Sequence, residues 1–158
     1  MPTIVVETRI AAPIERCFDL ARDLEAHVKT SSFTRERLVT STASRLLGHG
    51  DVVTFEAVHL GIRQQLTSKI VEFDRPNRFV DEMVQGAFAS LRHVHEFFVD
   101  DDAVVMRDTL TWRSPLGFVG RVADRLFVER HLRTFLATKQ SRLKQYAESI
   151  GVMNGPLR

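Results

Sequence analysis

The chain has 158 residues and a mass of 18.0 kDa, enough for one domain, and its 44% hydrophobic content excludes a disordered chain. No apolar run exceeds the four residues Ala103 to Met106, so no segment reads as a membrane span, and the N-terminus lacks the pattern of a secretory leader. The lone Cys17 excludes an internal disulfide or a cysteine-built metal cluster, and 22 Lys+Arg against 20 Asp+Glu leave a formal charge of only +2.

Thr3 to Ile10 is β-branched and reads as a strand. Pro13 suits the start of a helix, and Ile14, Cys17, Phe18 and Ala21 follow at helical spacing. Asp23 reads as the N-cap of a second short helix, to about Val28. Neither helix carries a basic, base-reading face, so no DNA partner is expected. From Arg35 to Arg113 the period shortens to that of an antiparallel meander. Turn signals recur at Gly48-His49-Gly50-Asp51, Leu60-Gly61, Asp74-Arg75-Pro76-Asn77, Gln85-Gly86, Asp100-Asp101-Asp102 and Ser114-Pro115. Ser114-Pro115 then predicts the N-cap and first residue of one helix reaching about Glu148, and residues 151–158 read as a flexible tail after a single domain over 1–150.

These elements predict an α+β architecture: a seven-stranded antiparallel sheet wrapped around a long C-terminal helix, with two short helices after the first strand. Such a sheet closes on its helix at the ends and leaves a cavity between them. Side-chain parity then sorts what faces inward. A two-residue turn at Leu60-Gly61 sets His59 opposite Ile62, Ala57 opposite Gln64 and Phe55 opposite Leu66, which places Gln64 and His59 as polar groups on an apolar face. In the strand from Phe88 to Val99, charge parity turns Ser90, Arg92 and Glu96 outward. Ala89, Leu91, His93, His95, Phe97 and Val99 then point inward. In the next strand Val104, Met106, Asp108, Leu110 and Trp112 point inward. Pairing Val99 with Val104 puts His95 opposite Asp108 and Leu91 opposite Trp112, whereas a tighter turn puts His93 there. Either register sets an imidazole beside a buried carboxylate, which satisfies the carboxylate and fixes the imidazole's tautomer. Whether Asp81 or Glu82 faces the cavity stays open. His93-x-His95 is a usable pair of metal ligands, with Asp108 or His59 as a third, but nothing in the sequence demands an ion, and neither metal nor cofactor is expected.

In the last helix Phe118, Val122, Leu126, Leu132, Leu136, Leu143 and Ala147 form an apolar stripe. Arg125, Glu129, Arg133 and Gln140 fall within or beside it. Arg125-Glu129-Arg133 spaces as an i,i+4 ladder, and Glu129 is a candidate for the cavity mouth. Seven bases against three acids between Gly117 and Glu148 read as a solvated basic face.

The stretch Arg78-Phe79-Val80-Asp81, then Gly86-Ala87-Phe88, then His93-Val94-His95 ahead of Phe97, resembles the START-like, Bet v 1-like superfamily, specifically the bacterial polyketide cyclase/dehydrase-like SRPBCC proteins. The opening from Thr8 to Phe18 and the segment from Trp112 to Gly117 fit the same pattern, so the resemblance covers nearly the whole chain. Ala87 stands where that family often has Pro, and Leu91 where it often has Trp, which implies a roomier pocket wall. The resemblance implies the helix-grip fold and a cavity for lipids, polyketides, hormones or quinones; a minority of relatives are cyclases or aromatases. It carries no catalytic role to His93 or His95.

Three functions compete. The first is a cytoplasmic protein that binds an apolar small molecule through His93, His95, Asp108, Trp112, Leu91, Phe97, Phe55, Gln64, His59, Leu66, Leu110 and Glu129. The second is a cyclase or aromatase using the His-Asp pair as general acid and base. The third is a protein-interaction module using the basic helix.

Overall fold

The β-branched opening forms strand β1 (Thr3–Ile10), and Pro13, with φ held at −58°, leads into helix α1 (Ile14–Ala21). Asp23 caps helix α2 (Leu24–Thr30), its Oδ1 accepting from the backbone N–H groups of Glu25 and Ala26. After a 3-10 turn at Ser32–Thr34 come β2 (Arg37–Ser41), β3 (Val52–His59), β4 (Ile62–Asp74), β5 (Arg78–Gln85), β6 (Ser90–Asp100) and β7 (Ala103–Arg113). These details come from a computed structural model that describes residues 1–153, the last three as backbone alone.

The strands form one antiparallel sheet in the order β1-β7-β6-β5-β4-β3-β2. Between β3 and β4 the pairs are His59 with Ile62, Ala57 with Gln64 and Phe55 with Leu66, as the alternation predicts. Leu60 and Gly61 carry φ values of 51° and 75°, the two positive angles that a type I′ turn needs. Between β6 and β7 the chain takes the register that sets His95 opposite Asp108 and Leu91 opposite Trp112, and the tighter turn is not used. Val99 leaves the core where β6 runs past its cover, and is 64% exposed. β5 departs from simple alternation. Its register against β4 shifts at Thr67/Ser68 and again at Ile70/Glu72, and the adjacent Phe79 and Val80 are both buried.

The single helix expected from Pro115 to Glu148 arrives in three pieces: α3 (Gly117–Ala123), a π-turn (Asp124–Val128) and α4 (Glu129–Met153). Ser114 does not cap it. Its hydroxyl donates instead to buried Asp124, which also accepts the Trp112 Nε1–H at 2.9 Å. The helix starts from Leu116 in the left-handed region, and Gly120 packs so tightly that a Cβ there would lie 2.1 Å from the Pro115 carbonyl oxygen. The wider π-turn breaks the 3.6-residue phase. Leu132, Leu136, Leu143 and Ala147 are therefore buried as predicted, while Phe118, Val122 and Leu126 are exposed. α4 also runs through Gly151, so part of the expected tail is helical, and 154–158 lie outside the described residues. Among the described residues no helix is long and apolar enough to cross a membrane.

Two apolar clusters fasten helix to sheet. In one, Phe18 meets Phe73, Phe79 and Phe97 edge-on at 5.3 to 5.5 Å and packs with Leu143 and Ala147. In the other, Leu132 and Leu136 pack on Ile4, Leu110 and Trp112.

Candidate functional site

A cavity of about 400 Å³ borders both clusters, between the inner face of the sheet and the helices. Phe55, His59, Gln64, Leu66, Leu91, His93, His95 and Leu110 line it, as parity predicts. Four other candidates do not. Phe97 is occupied in the aromatic core against Phe18 and Phe79, and Trp112 is fully buried with its N–H turned to Asp124. Asp108 lies behind His93 and His95, out of the wall. Glu129 follows directly on the π-turn, pairs with Arg133 at 3.6 Å and borders a separate open groove with Arg113 and Arg121. The same phase break separates Arg125 from Glu129, and among the described residues no ion pair joins them.

The wall is mostly apolar, yet five of the six histidines reach it: His27, His59, His93, His95 and His131. With Glu36, Asp81 and Lys139 they fall into two groups.

The first group stands on the sheet. His93 and His95 share the inner face of β6 because they are two residues apart, and Asp81 lies opposite His93 on β5. His95 Nε2 donates to Asp81 Oδ1 at 2.9 Å, and its Nδ1 lies 2.8 Å from Asp108 Oδ1. His93 lies between the same two oxygens, with Nε2 3.2 Å from Asp108 and Nδ1 4.0 Å from Asp81. The two imidazoles overlap with centroids 3.8 Å apart, and His95 stacks on Phe79. Behind them Gln140 donates to Asp108 Oδ2 at 2.6 Å and to the Val6 carbonyl at 3.0 Å, and its own oxygen accepts from Thr8 at 2.7 Å. Burial alone would lower the His95 pKa, but the two carboxylates outweigh it and push the value up to about 9. Burial and the neighbouring His95 lower His93. Burial opposes ionisation of Asp108 and Asp81, and the imidazoles overcome it, holding Asp108 well below the usual carboxylate range and lowering Asp81. Glu82 faces the other way, into an outer-face network in which Arg92 bridges it and Glu72.

The second group hangs between elements far apart in sequence. His27 of α2 donates through Nδ1 to buried Glu36, just before β2, and its Nε2 accepts from Lys139 of α4 at 2.6 Å. His27 lies flat on Phe55, with centroids 4.1 Å apart. Beside them, His59 Nδ1 and His131 Nε2 share one hydrogen bond of 2.9 Å. Burial lowers His27, His59 and Lys139; Glu36 is held low by His27 and Lys139 against its own desolvation.

Asp81, His27, Glu36, His131 and Lys139 are thus cavity residues that the sequence reading did not place. Lys139 had a usable signal: it lies three residues after Leu136 and four before Leu143, on the buried stripe, although counted there as one more base of a solvated face. Chemically, the sheet group holds a charged imidazole beside a neutral one, with three potential ligand atoms of Asp81, His93 and His95 within 4.8 Å of one another. The helix group offers the half-buried Lys139 amine to an anionic or polar guest.

No protein-family model matches the chain, and no curated protein matches it. Solved structures do. TTHA0849 from Thermus thermophilus superposes with a TM-score of 0.77 at 20% identity, over 94% of this chain and 99% of that one. A START superfamily protein from Mycobacterium smegmatis gives 0.69 at 13% identity, over 94% and 98%. The di-domain ARO/CYC StfQ from the steffimycin biosynthetic pathway gives 0.77 at 14% identity; the match covers 94% of this chain and 51% of StfQ, about half its length. The chain has the START-like helix-grip fold.

Proposed function

We propose that the protein binds a small amphipathic molecule, an apolar body with one polar end, in the cavity between sheet and helix. The observation that carries this reading is the cavity itself. Its volume of about 400 Å³ lies in the range of small-molecule sites, and its apolar wall is interrupted by a few convergent polar groups. A lipid, polyketide or quinone-like compound fits that description, with its polar end at Lys139 or the His93-His95 pair. StfQ, a di-domain ARO/CYC of a biosynthetic pathway, shares this fold and is in keeping with a small-molecule guest.

One observation favours a second reading, a cyclase- or aromatase-type enzyme. Adjacent imidazoles with pKa values pushed apart, His95 up and His93 down, are what paired acid and base chemistry needs.

Native mass spectrometry of protein purified without detergent tests the first reading, together with titration of a fluorescent long-chain fatty acid. The expected result is saturable binding at about one probe per chain, weakened on the order of tenfold by Ala57→Phe, which fills the cavity, with the melting curve preserved. A folded wild-type protein that shows no saturable binding overturns it. Return of the captured ligand chemically altered selects the enzyme over the carrier.

A further inference from the structure

We propose that Asp81, His93 and His95 form a binding site for a divalent transition-metal ion of the zinc class, with Asp108 as the outer carboxylate that orients both imidazoles. The site stands whether or not an apolar guest binds.

The donor geometry comes first. Three ligands at zinc bond lengths of about 2.0–2.1 Å in a tetrahedron lie about 3.3 Å from one another. The observed separations straddle that figure: 2.9 Å from His95 Nε2 to Asp81 Oδ1, and 4.0 Å from His93 Nδ1 to the same oxygen. One donor atom from each of the three residues lies within 4.8 Å of the others, so the cluster tightens to hold one ion. The scaffold is rigid, since His93 and His95 share one face of β6 and Asp81 faces His93 across β5.

The orientation of the rings is the second observation. Each imidazole turns one nitrogen to Asp81 and the other to Asp108: His95 Nδ1 lies 2.8 Å and His93 Nε2 3.2 Å from Asp108 Oδ1. Metal-bound histidines characteristically hand their second N–H to such a carboxylate, which fixes the tautomer and strengthens the ligand. Asp108 is itself held by Gln140, and Gln140 by Thr8, so the support extends two layers behind the ligands.

A pair of unsatisfied atoms is the third observation. His93 Nε2 and Asp108 Oδ1 are buried without a well-aligned hydrogen bond, so the cluster is not saturated by its own contacts. Two carboxylates balance one divalent cation. The ligands all line the cavity, so a fourth position opens into it, as in sites that bind a water or a guest.

The test uses the full chain without an affinity tag, stripped with chelator and titrated at pH 8 with cobalt(II), then zinc(II). The expected result is one ion per chain, with the visible absorption of four- or five-coordinate cobalt and its displacement by zinc. Asp81→Asn, His93→Ala and His95→Ala each weaken binding on the order of 100-fold. Asp108→Asn weakens it about 10- to 100-fold while keeping the cobalt spectrum, as an orienting residue should. His49→Ala, at an exposed histidine outside the cavity wall, leaves it unchanged. Should a ligand variant fail to fold, the imidazole NMR signals of the wild type decide: zinc must move those of His93 and His95 alone. Folded protein that takes up no stoichiometric ion, or binding that survives His93→Ala and His95→Ala, overturns the proposal. Fatty-acid titration of the stripped protein is read separately, so loss of metal binding and loss of cavity binding are distinguishable.

Discussion

The two polar groups in the cavity wall are built by different means. The sheet group takes Asp81, His93, His95 and Asp108 from three neighbouring strands, where hydrogen-bonded register fixes each side chain against the next. The helix group joins α2, the residue before β2 and α4, with His27 and Lys139 separated by 112 residues and joined by side chains alone, with no shared backbone register. The difference teaches which polar contacts are rigid. In the sheet group every neighbour is set by the backbone, and loss of one partner leaves a buried charge stranded. In the helix group a proton can move among His27, Glu36 and Lys139 to restore balance.

The largest expected effect removes the floor on which both groups rest. Leu136 is 2% exposed, packs on Ile4, Leu110 and Trp112, and also lines the cavity. Leu136→Asp forfeits that burial and adds an unpaired charge, a combined cost of about 4 kcal/mol or more. Circular dichroism and a denaturant melt should find the variant unfolded or nearly so. A native-like melt means that the helix presents another face to the sheet.

A paired comparison of neighbouring residues on α4 separates the two groups. Gln140→Ala removes a donor from buried Asp108 and should cost about 1–3 kcal/mol. Lys139→Met removes a half-buried ammonium that adds to burial in lowering His27. With that charge gone His27 moves back toward its ordinary value beside Glu36, so the loss should stay below about 1 kcal/mol. Urea melts of both variants read the difference, and equal losses would erase the distinction between a fixed and an adaptable group.

The same contrast explains what was legible in the sequence. Parity and turn length gave the fold, an imidazole of β6 opposite Asp108 and eight of the lining residues, while the choice between His93 and His95 waited on the β6-β7 turn. Asp81 could not be placed that way: its strand carries two adjacent buried residues, Phe79 and Val80, and two register shifts erase its parity against β4. Helix periodicity failed at one place for one reason. The π-turn at Asp124–Val128, where Asp124 takes bonds from Trp112 and Ser114, turned Phe118, Val122 and Leu126 outward and carried Glu129 out of the cavity wall. Contacts such as Glu36–His27–Lys139 join segments with no shared register, and nothing local encodes them.

The sheet group should also place an alkaline limb on the pH dependence of stability, through His95. His95 is raised to about 9 in the folded protein, so in metal-free protein its contribution is complete below the ordinary value of 6.5 and drains as pH climbs from there through 9. Asp108→Asn removes the foremost of the two raising carboxylates. The His95 titration should fall by at least about one unit, worth about 1.4 kcal/mol, and the alkaline limb should retreat with it. NMR titration of the imidazoles and thermal melts from pH 6 to 10 are the measurements, and an unmoved His95 would contradict the pairing.

The acid limb is shared by the lowered imidazoles, His93 in the sheet group and His27, His59 and His131 on the helix side, and the share of the last pair is the smallest effect. His59 and His131 are lowered, both by burial and His59 also by its partner; Glu36 pulls His59 up and Lys139 pushes it down without reversing the direction. The unfolded chain therefore takes protons first as pH falls below 6.5, and stability present above that value is lost on further acidification. A second proton is unwelcome in the folded state because both rings share one hydrogen bond of 2.9 Å and two imidazolium groups cannot make it. His131→Gln keeps a polar partner for His59 and removes the repulsion. The fall in Tm between pH 7 and pH 5.5 should become shallower by about 1–3 °C, under 1 kcal/mol for a chain of this size. His27 remains to keep part of the acid limb in place, since burial lowers it too. An acid limb unchanged in His131→Gln would mean that His27 and His93 set it and that the His59-His131 bond contributes nothing to it.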